Sequence, residues 1–372
     1  KIIEYSAHNK VVVFVFTAVL LVGAAWTLQH SPLDAIPDLS DTQVIIYSKW
    51  DRSPDIVEDQ VTYPIITSLL GAPKIKTVRG LSDFGFSYVY VIFEDGTDLY
   101  WARSRVLEYL SKVTPQLPQG VQTSIGPDAT SVGWVYQYAI VDESNQLNLA
   151  QMRSLQDWQL KFHLQSVPGV AEVASLGGFV KQYQINIDPN KLSGYGITIT
   201  DLTRAVKAAN TETGGRVLEF AGTEYMVRGR GYIKSIEDIE NIVVKTDSQT
   251  GVPILVKHVG RVELGPDIRR GVSDLNGLGD VVGGVVIMRQ GENALNVINR
   301  VKEKIKEIKP SFPKGVKIVE TYDRSGLIES AISTLKHKLT IEIIIVSLVI
   351  LLFLGISPQP LFRSSQSRFQ FF

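Results

Sequence analysis

The sequence predicts an α+β fold with transmembrane helices, in which two split β-α-β units lie between two membrane spans. Three observations predict this class: an apolar stretch near each end, a repeated pattern between them, and helical spacing that alternates with strand-like spacing. The chain has 372 residues, which is enough for two or three domains. Its 44% hydrophobic and 20% charged content is typical of folded proteins.

The apolar stretch near the amino terminus, residues 11–28, is uncharged and long enough as a helix to cover about 27 Å of a bilayer. A cleaved signal peptide is the alternative, but its apolar core would be shorter, and no small-residue cleavage site follows. The second stretch, residues 339–356, is interrupted only by Glu342. Lys1 and Lys10 favour a cytoplasmic amino terminus, so we expect the large segment between the spans to be periplasmic.

That large segment contains an internal duplication. Ten residues between positions 91 and 121 recur 195 positions later, including the prolines and glycines of the loop in the first copy. Five residues between 73 and 84 also match residues 95 positions later, four identically and one, Ile75, as a valine. Repeats of this kind indicate repeated supersecondary units. The difference of the two offsets predicts an insertion of about one hundred residues inside the second copy, which is the size of a domain.

Each copy is predicted to run strand, helix, strand, strand, helix, strand. In the first copy the strands are 44–48, 75–78, 84–93 and 121–125, with one helix from Pro54 to Gly71 and another over 99–113. In the second copy the strands are 134–141, 170–174, 283–288 and 316–319, with helices over 149–165 and around 298–308. The insertion is predicted to hold a strand at 179–188 and a hairpin of 217–220 with 224–228.

Several local features of the first copy are also predicted. Ser53 is expected to cap the first helix, and Pro64 to kink it. Strand 84–93 is apolar on both faces and is therefore expected to be buried on both. Glu108 and Lys112 have the spacing of an ion pair on the second helix.

Four stretches resemble the heavy-metal branch of the resistance-nodulation-division exporters. They are PLDAIPDLSD at 32–41, YVYVIFEDGTDLYWARSRVLEYL at 88–110, GPDATSVGW at 126–134 and RRGVSDLNGLGDVVGG at 269–284. The resemblance extends over about residues 1–354. In the sequences of PDLSD at 37–41 and of residues 101–110, the chain is closer to the copper and silver exporters than to the cobalt, zinc and cadmium exporters.

The resemblance implies two ferredoxin-like porter subdomains and an inserted docking subdomain. It assigns 1–29 to the cytoplasmic terminus and first membrane helix, 30–132 to the first porter subdomain, 133–178 with 279–325 to the second, 179–278 to the docking subdomain and 337–356 to the second membrane helix. Residues 357–372 have no periodicity, and we interpret them as an aberrant or disordered tail left by a frame change or truncated gene. The chain is thus expected to be an amino-terminal fragment that transports nothing alone.

The family's activity is expected only of the complete protein. The resemblance implies a proton-driven homotrimer in the bacterial inner membrane that exports copper or silver through a periplasmic adaptor and an outer-membrane channel. An arm at 210–231 would reach into the neighbouring subunit, and helix 98–113 would line the trimer axis. Two alternatives remain: an exporter of organic compounds on the same fold, and a two-helix periplasmic sensor or adaptor.

No residue of this chain is predicted to be catalytic, cofactor-binding or metal-ligating. The histidines and methionines have no chelating spacing and are expected to be structural: His8, His30, His163, His258, His337, Met152, Met226 and Met288. Met152 and Met288 are expected in the core. Asp34, Asp38 and Asp41 could gather cations but are expected to cap or to be solvated, and Glu342 is expected at the membrane interface.

Enzymatic and nucleic-acid functions are not predicted. Gly277, Gly279 and Gly283 lack the spacing of a dinucleotide loop. The 38 basic residues balance the 38 acidic residues, so no positive field favours nucleic acid. The absence of cysteine excludes disulfides and thiol chemistry. We therefore interpret the chain as part of a transporter.

Overall fold

The computed structural model describes residues 5, 8–30, 34–247, 250–269 and 271–356. The tail at 357–372 lies outside the described residues. The chain divides into two compact units. Unit 1 comprises the described residues of Lys1–Glu143, Gln159–Ser175 and Gly283–Phe372, and unit 2 those of Ser144–Trp158 and Leu176–Val282.

The first module of unit 1 follows helix α1 (Lys10–His30). Its elements are β1 (Gln43–Lys49), α2 (54–69), β2 (Ile75–Asp83), β3 (Phe86–Phe93), α3 (Leu99–Val113) and β4 (Gln122–Ile125). The strands form one sheet in the order β2-β3-β1-β4, and all three neighbouring pairs are antiparallel. Strand β3 thus lies between β1 and β2, which is the split β-α-β arrangement that the duplicated pattern predicted.

Both helices of this module cover the same face of its sheet. Their apolar residues share a core with the inward side chains of β1 and β3: Val44, Ile46, Val57, Val61, Ile65, Leu69, Val89, Val91, Phe93, Leu99, Ala102, Val106, Leu110 and Val113. Phe86, Tyr88 and Tyr90 on the opposite face are only half-buried. The prediction that strand 84–93 is buried on both faces was therefore wrong, because helices cover one face only.

Helix α2 is irregular in its middle. Two α-helical segments, Pro54–Val57 and Tyr63–Leu69, flank a π-helical turn at Glu58–Thr62. The turn ends two residues before Pro64, the predicted kink, whose missing N–H cannot continue the regular hydrogen-bond pattern. At the N-cap, Ser53 bonds to the side chain of Asp55 instead of capping a backbone N–H.

The predicted pair of Glu108 and Lys112 on α3 is confirmed at 3.7 Å.

The second module begins with β5 (Trp134–Asp142), α4 (149–165) and β6 (Val170–Gly177). Helix α4 also contains a π-helical turn, Gln156–Leu160, between the α-helical segments Leu149–Leu155 and Lys161–Gln165. Met152 is buried in this helix, as predicted.

Unit 2 contains most of the insertion. Its strands are β7 (Lys181–Ile187), β8 (Thr213–Phe220), β9 (Thr223–Gly229), β10 (Val243–Thr246), β11 (Pro253–Leu255) and β12 (Gly260–Pro266). They pair antiparallel as β7 with β12, β8 with β9 and β10 with β11. Helices α5 (Pro189–Gly194), α6 (Ile199–Ala209), α7 (Ile236–Glu240) and α8 (Val256–Val259) supply much of an apolar core that includes Leu192, Leu202, Ile239 and Val259. The hairpin of β8 and β9 is exposed along its whole length.

The second module closes with β13 (Val282–Met288), α9 (Ala294–Ile308) and β14 (Val316–Asp323). Its sheet has the order β14-β5-β13-β6, which repeats the strand order of the first module. Every residue of β13 is buried, including Met288 as predicted.

Helix α10 (Arg324–Ile356) follows β14 directly and has 33 residues. Apolar side chains on both α1 and α10 are exposed, among them Leu20, Trp26, Ile343 and Leu351. Within the described ranges, no helix is both long enough and apolar enough to cross a membrane.

Candidate functional site at the junction of the two modules

The stretch that joins the two modules, residues 126–134, is the centre of a polar network in unit 1. We call this stretch the linker. It has the sequence GPDATSVGW and is one of the four stretches that carried the family resemblance. Four parts of unit 1 contact it: segment 34–41 after α1, helix α3, the end of β13 and the start of α10.

Arg324, the first residue of α10, is the most buried charge of the network. Its side chain is 4% exposed, and its Nη1 donates to Asp34 Oδ2 at 3.0 Å. Nη2 donates to the carbonyl oxygens of Val132 and Trp134, at 2.7 and 2.8 Å. Its Nε is buried and has no acceptor among the described residues. One guanidinium therefore joins the start of α10, the linker and the segment after α1.

Segment 34–41 is held by its own acidic residues. Asp34 accepts from the backbone N–H of Ala35 as well as from Arg324. Burial would raise the pKa of Asp38, but hydrogen bonds from Thr130 and Ser40 outweigh that effect and lower the pKa below its ordinary value. Asp41 pairs with Lys76 at 3.2 Å. The three carboxylates thus have separate partners.

Two further contacts fix the middle of the linker. Ser40 Oγ lies 2.6 Å from Ser131 Oγ. The carboxylate of Asp128 accepts from the Tyr100 hydroxyl at 3.0 Å and pairs with Arg289 Nε at 3.3 Å. The hydrogen bond to Asp128, together with burial, raises the pKa of Tyr100, so this hydroxyl keeps its proton and remains a donor.

The ends of the linker are positioned through its glycines. Arg103 donates to the Gly126 carbonyl at 2.7 Å. The Gly133 carbonyl accepts from the Met288 N–H at 2.7 Å, which places the linker beside β13. A Cβ at Gly133 would lie 3.0 Å from the Met288 carbonyl oxygen, closer than side chains normally approach.

A second charged cluster lies beside Arg324. Lys302 of α9 pairs with Asp323, which also accepts from the Ser325 N–H and hydroxyl. Burial would raise the pKa of Asp323, but the bonds from Lys302 and Ser325 lower it overall. Burial and the neighbouring Glu320 raise the pKa of Tyr136. The end of β14 and the first turn of α10 are therefore surrounded by fixed charges.

Histidines weighed as metal ligands, and a glycine weighed as part of a dinucleotide loop, are not part of the network around the linker. His163, His258 and His337 are exposed, and His258 Nδ1 accepts from the Leu255 N–H at the start of α8. Gly283 lies within β13, where a Cβ would approach the Tyr138 carbonyl oxygen to 2.6 Å. Among the residues that the structure covers, no three His, Asp or Glu side chains are grouped as metal ligands.

Sequence reasoning had weighed Asp34 and Asp38 but missed Arg324, Asp128 and Arg289. Arg324 and Arg289 lie outside the four stretches, so only their proximity in the fold associates them with the linker. A weak signal was present at Asp128, since the motif GPDATSVGW places a carboxylate next to a proline between two predicted strands.

The comparisons with known proteins agree with this fold. The model of the AcrB/AcrD/AcrF family matches residues 2–362. SilA of Salmonella typhimurium is 54% identical over 354 residues, and the cation efflux system protein CusA of Escherichia coli K12 is 53% identical over the same length. The cobalt-zinc-cadmium resistance protein CzcA of Cupriavidus metallidurans is 36% identical over 363 residues.

These alignments cover 95% of this chain and 34% of each of the three relatives, so the chain spans about a third of their length. A crystal structure of a heavy metal efflux pump superposes with a TM-score of 0.85 at 31% identity, over 95% of this chain and 35% of that chain. The predicted membership of the heavy-metal branch is thereby confirmed: the chain belongs to the AcrB/AcrD/AcrF family.

Proposed function

We propose that this chain is the amino-terminal part of a proton-driven exporter that removes copper or silver ions across the bacterial cell envelope. The observation that carries the proposal is the identity of 54% and 53% with SilA and CusA, compared with 36% with CzcA. We propose copper and silver over cobalt, zinc and cadmium because the identity to SilA and CusA is higher than the identity to CzcA. Transport would be the activity of the complete exporter, and no catalytic role is proposed for this chain.

Helices α1 and α10 are proposed to anchor the chain in the inner membrane. Their exposed apolar side chains support this placement, since lipid is the solvent in which such surfaces are stable. Lys10 at the start of α1 supports a cytoplasmic amino terminus. Residues from about 30 to 337, which include both modules and the insertion, would then lie in the periplasm.

The exposed hairpin of β8 and β9 is proposed to hold subunits together in a homotrimer. It carries six large apolar residues that water surrounds in the single chain: Val217, Leu218, Phe220, Tyr225, Met226 and Val227. An exposed apolar surface of this kind is typical of a protein interface. We propose that the hairpin inserts into the neighbouring subunit, and that the trimer works with a periplasmic adaptor and an outer-membrane channel.

The domain boundaries of the exporter are carried forward as part of the proposal. Residues 30–132 form the first porter subdomain, 133–178 with 279–325 the second, and 179–278 the docking subdomain. The repeated strand order of the two sheets supports the first two assignments. We place the metal ligands and the proton-relay carboxylates in the part of the exporter that this chain does not include.

A chimera tests the proposal. The 354 residues of this chain that align with CusA replace the matching third of that protein, and the chimera is produced in cells that lack their own copper and silver exporters. We expect growth in silver and copper salts to be restored to at least half of the tolerance that intact CusA gives. Tolerance to cobalt, zinc and cadmium, and to organic toxicants, should stay at the level of an empty vector.

Two outcomes would contradict the proposal. A chimera that reaches the membrane in normal amount but gives no metal tolerance would show that the segment does not work in a metal exporter. Tolerance to organic compounds without tolerance to metals would favour the exporter of organic compounds.

A further inference from the structure

The position of Arg324 is not explained by stability alone. It occupies the first turn of α10, where the partial positive charge of the helix dipole disfavours a cation. It is also nearly fully buried, and its Nε has no acceptor in the described part of the chain. Apolar residues of similar size often replace such buried ion pairs without loss of stability. A position that costs free energy in two ways suggests a requirement other than folding.

The contacts of Arg324 indicate what that requirement is. Its donors are divided between the carboxylate of Asp34 and two carbonyls of the linker, those of Val132 and Trp134. The planar guanidinium fixes the relative directions of these bonds, which a lysine cannot do. Asp323, the preceding residue, is held by Lys302 and accepts from the Ser325 N–H, so the backbone at Arg324 is fixed from both sides.

We infer that Arg324 is a positioning residue through which α10 and the linker move together during transport. Any shift or rotation of the first turn of α10 would pull the carbonyls of Val132 and Trp134, and with them the connection between the two modules. Asp34 supplies the counter-charge, so the segment after α1 would move together with α10 and the linker. This inference rests on the proposed function, because it concerns how the helices and the periplasmic modules of an exporter are coupled.

Arg289 provides a matched control. It is also an arginine that contacts the linker, through Asp128 at 3.3 Å, but it extends from the end of β13 and not from α10. An Arg289→Gln variant therefore removes another, more exposed arginine contact to the linker while the connection to α10 stays intact. If transport requires the connection between the linker and α10, Arg324→Gln should reduce metal tolerance and Arg289→Gln should not, although both variants remove a contact to the linker.

The test uses the metal-tolerant chimera described above, with Arg324→Gln, Arg324→Lys, Asp34→Asn and Arg289→Gln. Three quantities are measured: metal tolerance, the amount of folded trimer in the membrane, and hydrogen exchange of the linker amides. We expect Arg324→Gln to lower metal tolerance at least tenfold at an unchanged amount of trimer, and to speed linker exchange at least tenfold. Arg324→Lys should keep less than half of the tolerance, because it keeps the charge but not the fixed directions of the bonds. Arg289→Gln should keep at least half of the tolerance.

The inference is overturned if Arg324→Gln speeds linker exchange but leaves tolerance intact, because the contact is then only structural. It is also overturned if Arg289→Gln reduces tolerance as much as Arg324→Gln does. If Arg324→Gln does not accumulate, Arg324→Lys decides: full tolerance and an unchanged exchange rate would overturn the inference, because the lysine keeps the charge but not the fixed directions of the bonds. Asp34→Asn leaves both carbonyl contacts in place and should reduce tolerance less than Arg324→Lys does. In all of these cases the parent chimera still transports metal, so a failure of this inference is distinct from a failure of the proposed function.

Discussion

The guanidinium of Arg324 and the carboxylate of Asp34 lie 3.0 Å apart, although 290 positions of sequence separate them. The pair joins the residue that begins α10 to the segment that follows α1. Because Arg324 also bonds to the linker, it places the start of α10 and the segment after α1 beside the connection between the two modules.

Two adjacent leucines at the end of α2 should differ sharply in their contribution to stability. Leu69 is 1% exposed within the core of the first module, whereas Leu70 is 66% exposed. We expect Leu69→Ala to lower the free energy of unfolding by about 2–5 kcal/mol, and Leu70→Ala by less than about 0.5 kcal/mol. Chemical denaturation of the detergent-solubilised chain measures both values. Equal effects would mean that the face of α2 that carries Leu69 is not the face that packs in the core.

Gly283→Ala should destabilise the second module. Its Cβ would lie 2.6 Å from the Tyr138 carbonyl oxygen, and neighbouring backbone cannot move as a flexible side chain can. We expect a loss of about 1–3 kcal/mol, which is the range for overpacking. Gly71→Ala is the control, since nothing lies within 4 Å of a Cβ there. A thermal unfolding midpoint that is unchanged by Gly283→Ala would contradict the close approach of β13 and β5.

The pair of Lys302 and Asp323 should give a stability that depends on pH. The folded-state pKa of Asp323 lies below 3.8, so its stabilising contribution is complete above pH 3.8 and is lost as the pH falls through the folded-state pKa. The pKa of Lys302 is raised above 10.5, so its proton stays bound across this range. The difference in unfolding free energy between the wild type and Asp323→Asn should therefore shrink below pH 3.8.

Urea denaturation between pH 3 and pH 7 measures that difference. In a Lys302→Met background, Asp323→Asn should have a smaller effect at pH 7, since its main cationic partner is gone. A difference that stays constant down to pH 3 would mean that Asp323 is not held as a carboxylate in the folded chain.

The exposed hairpin should affect assembly and not folding. Phe220 and Met226 are 69% and 80% exposed, so Phe220→Ser and Met226→Ser should leave the unfolding midpoint of the chain unchanged. In the chimera, the same substitutions should lower the trimer fraction measured by light scattering. Glu224→Ser, on the same hairpin, is the control and should leave the trimer intact. Full trimerisation of both apolar variants would refute the proposed role of the hairpin.

The regular elements of unit 1 could be predicted because each depends on local spacing. Helix α3 was predicted over 99–113 and has these bounds, since Leu99, Ala102, Val106, Leu110 and Val113 recur at helical intervals. The duplication predicted that both modules have the same element order, and their sheets have the same strand order. Strand β3 was predicted less well, because an apolar sequence does not reveal that helices will cover only one face.

The junction could not be predicted because its members are distant in sequence. Asp34, Val132 and Arg324 have no spacing that relates them, and only the fold brings them together. The π-helical turn in α2 was also missed. Pro64 predicted a kink at its own position, but the irregularity is the turn at Glu58–Thr62, which precedes the proline. The short helices of unit 2, such as α5 and α8, are too short to give a periodic signal.

The central claim is that this chain serves as the amino-terminal third of an exporter of copper or silver. The amount of silver in cells that produce the chimera with CusA, after a fixed exposure and at equal membrane levels of protein, tests that claim most directly. We predict a silver content close to that of cells with intact CusA and several-fold below that of cells with an empty vector. A silver content equal to that of the empty-vector cells would contradict the claim.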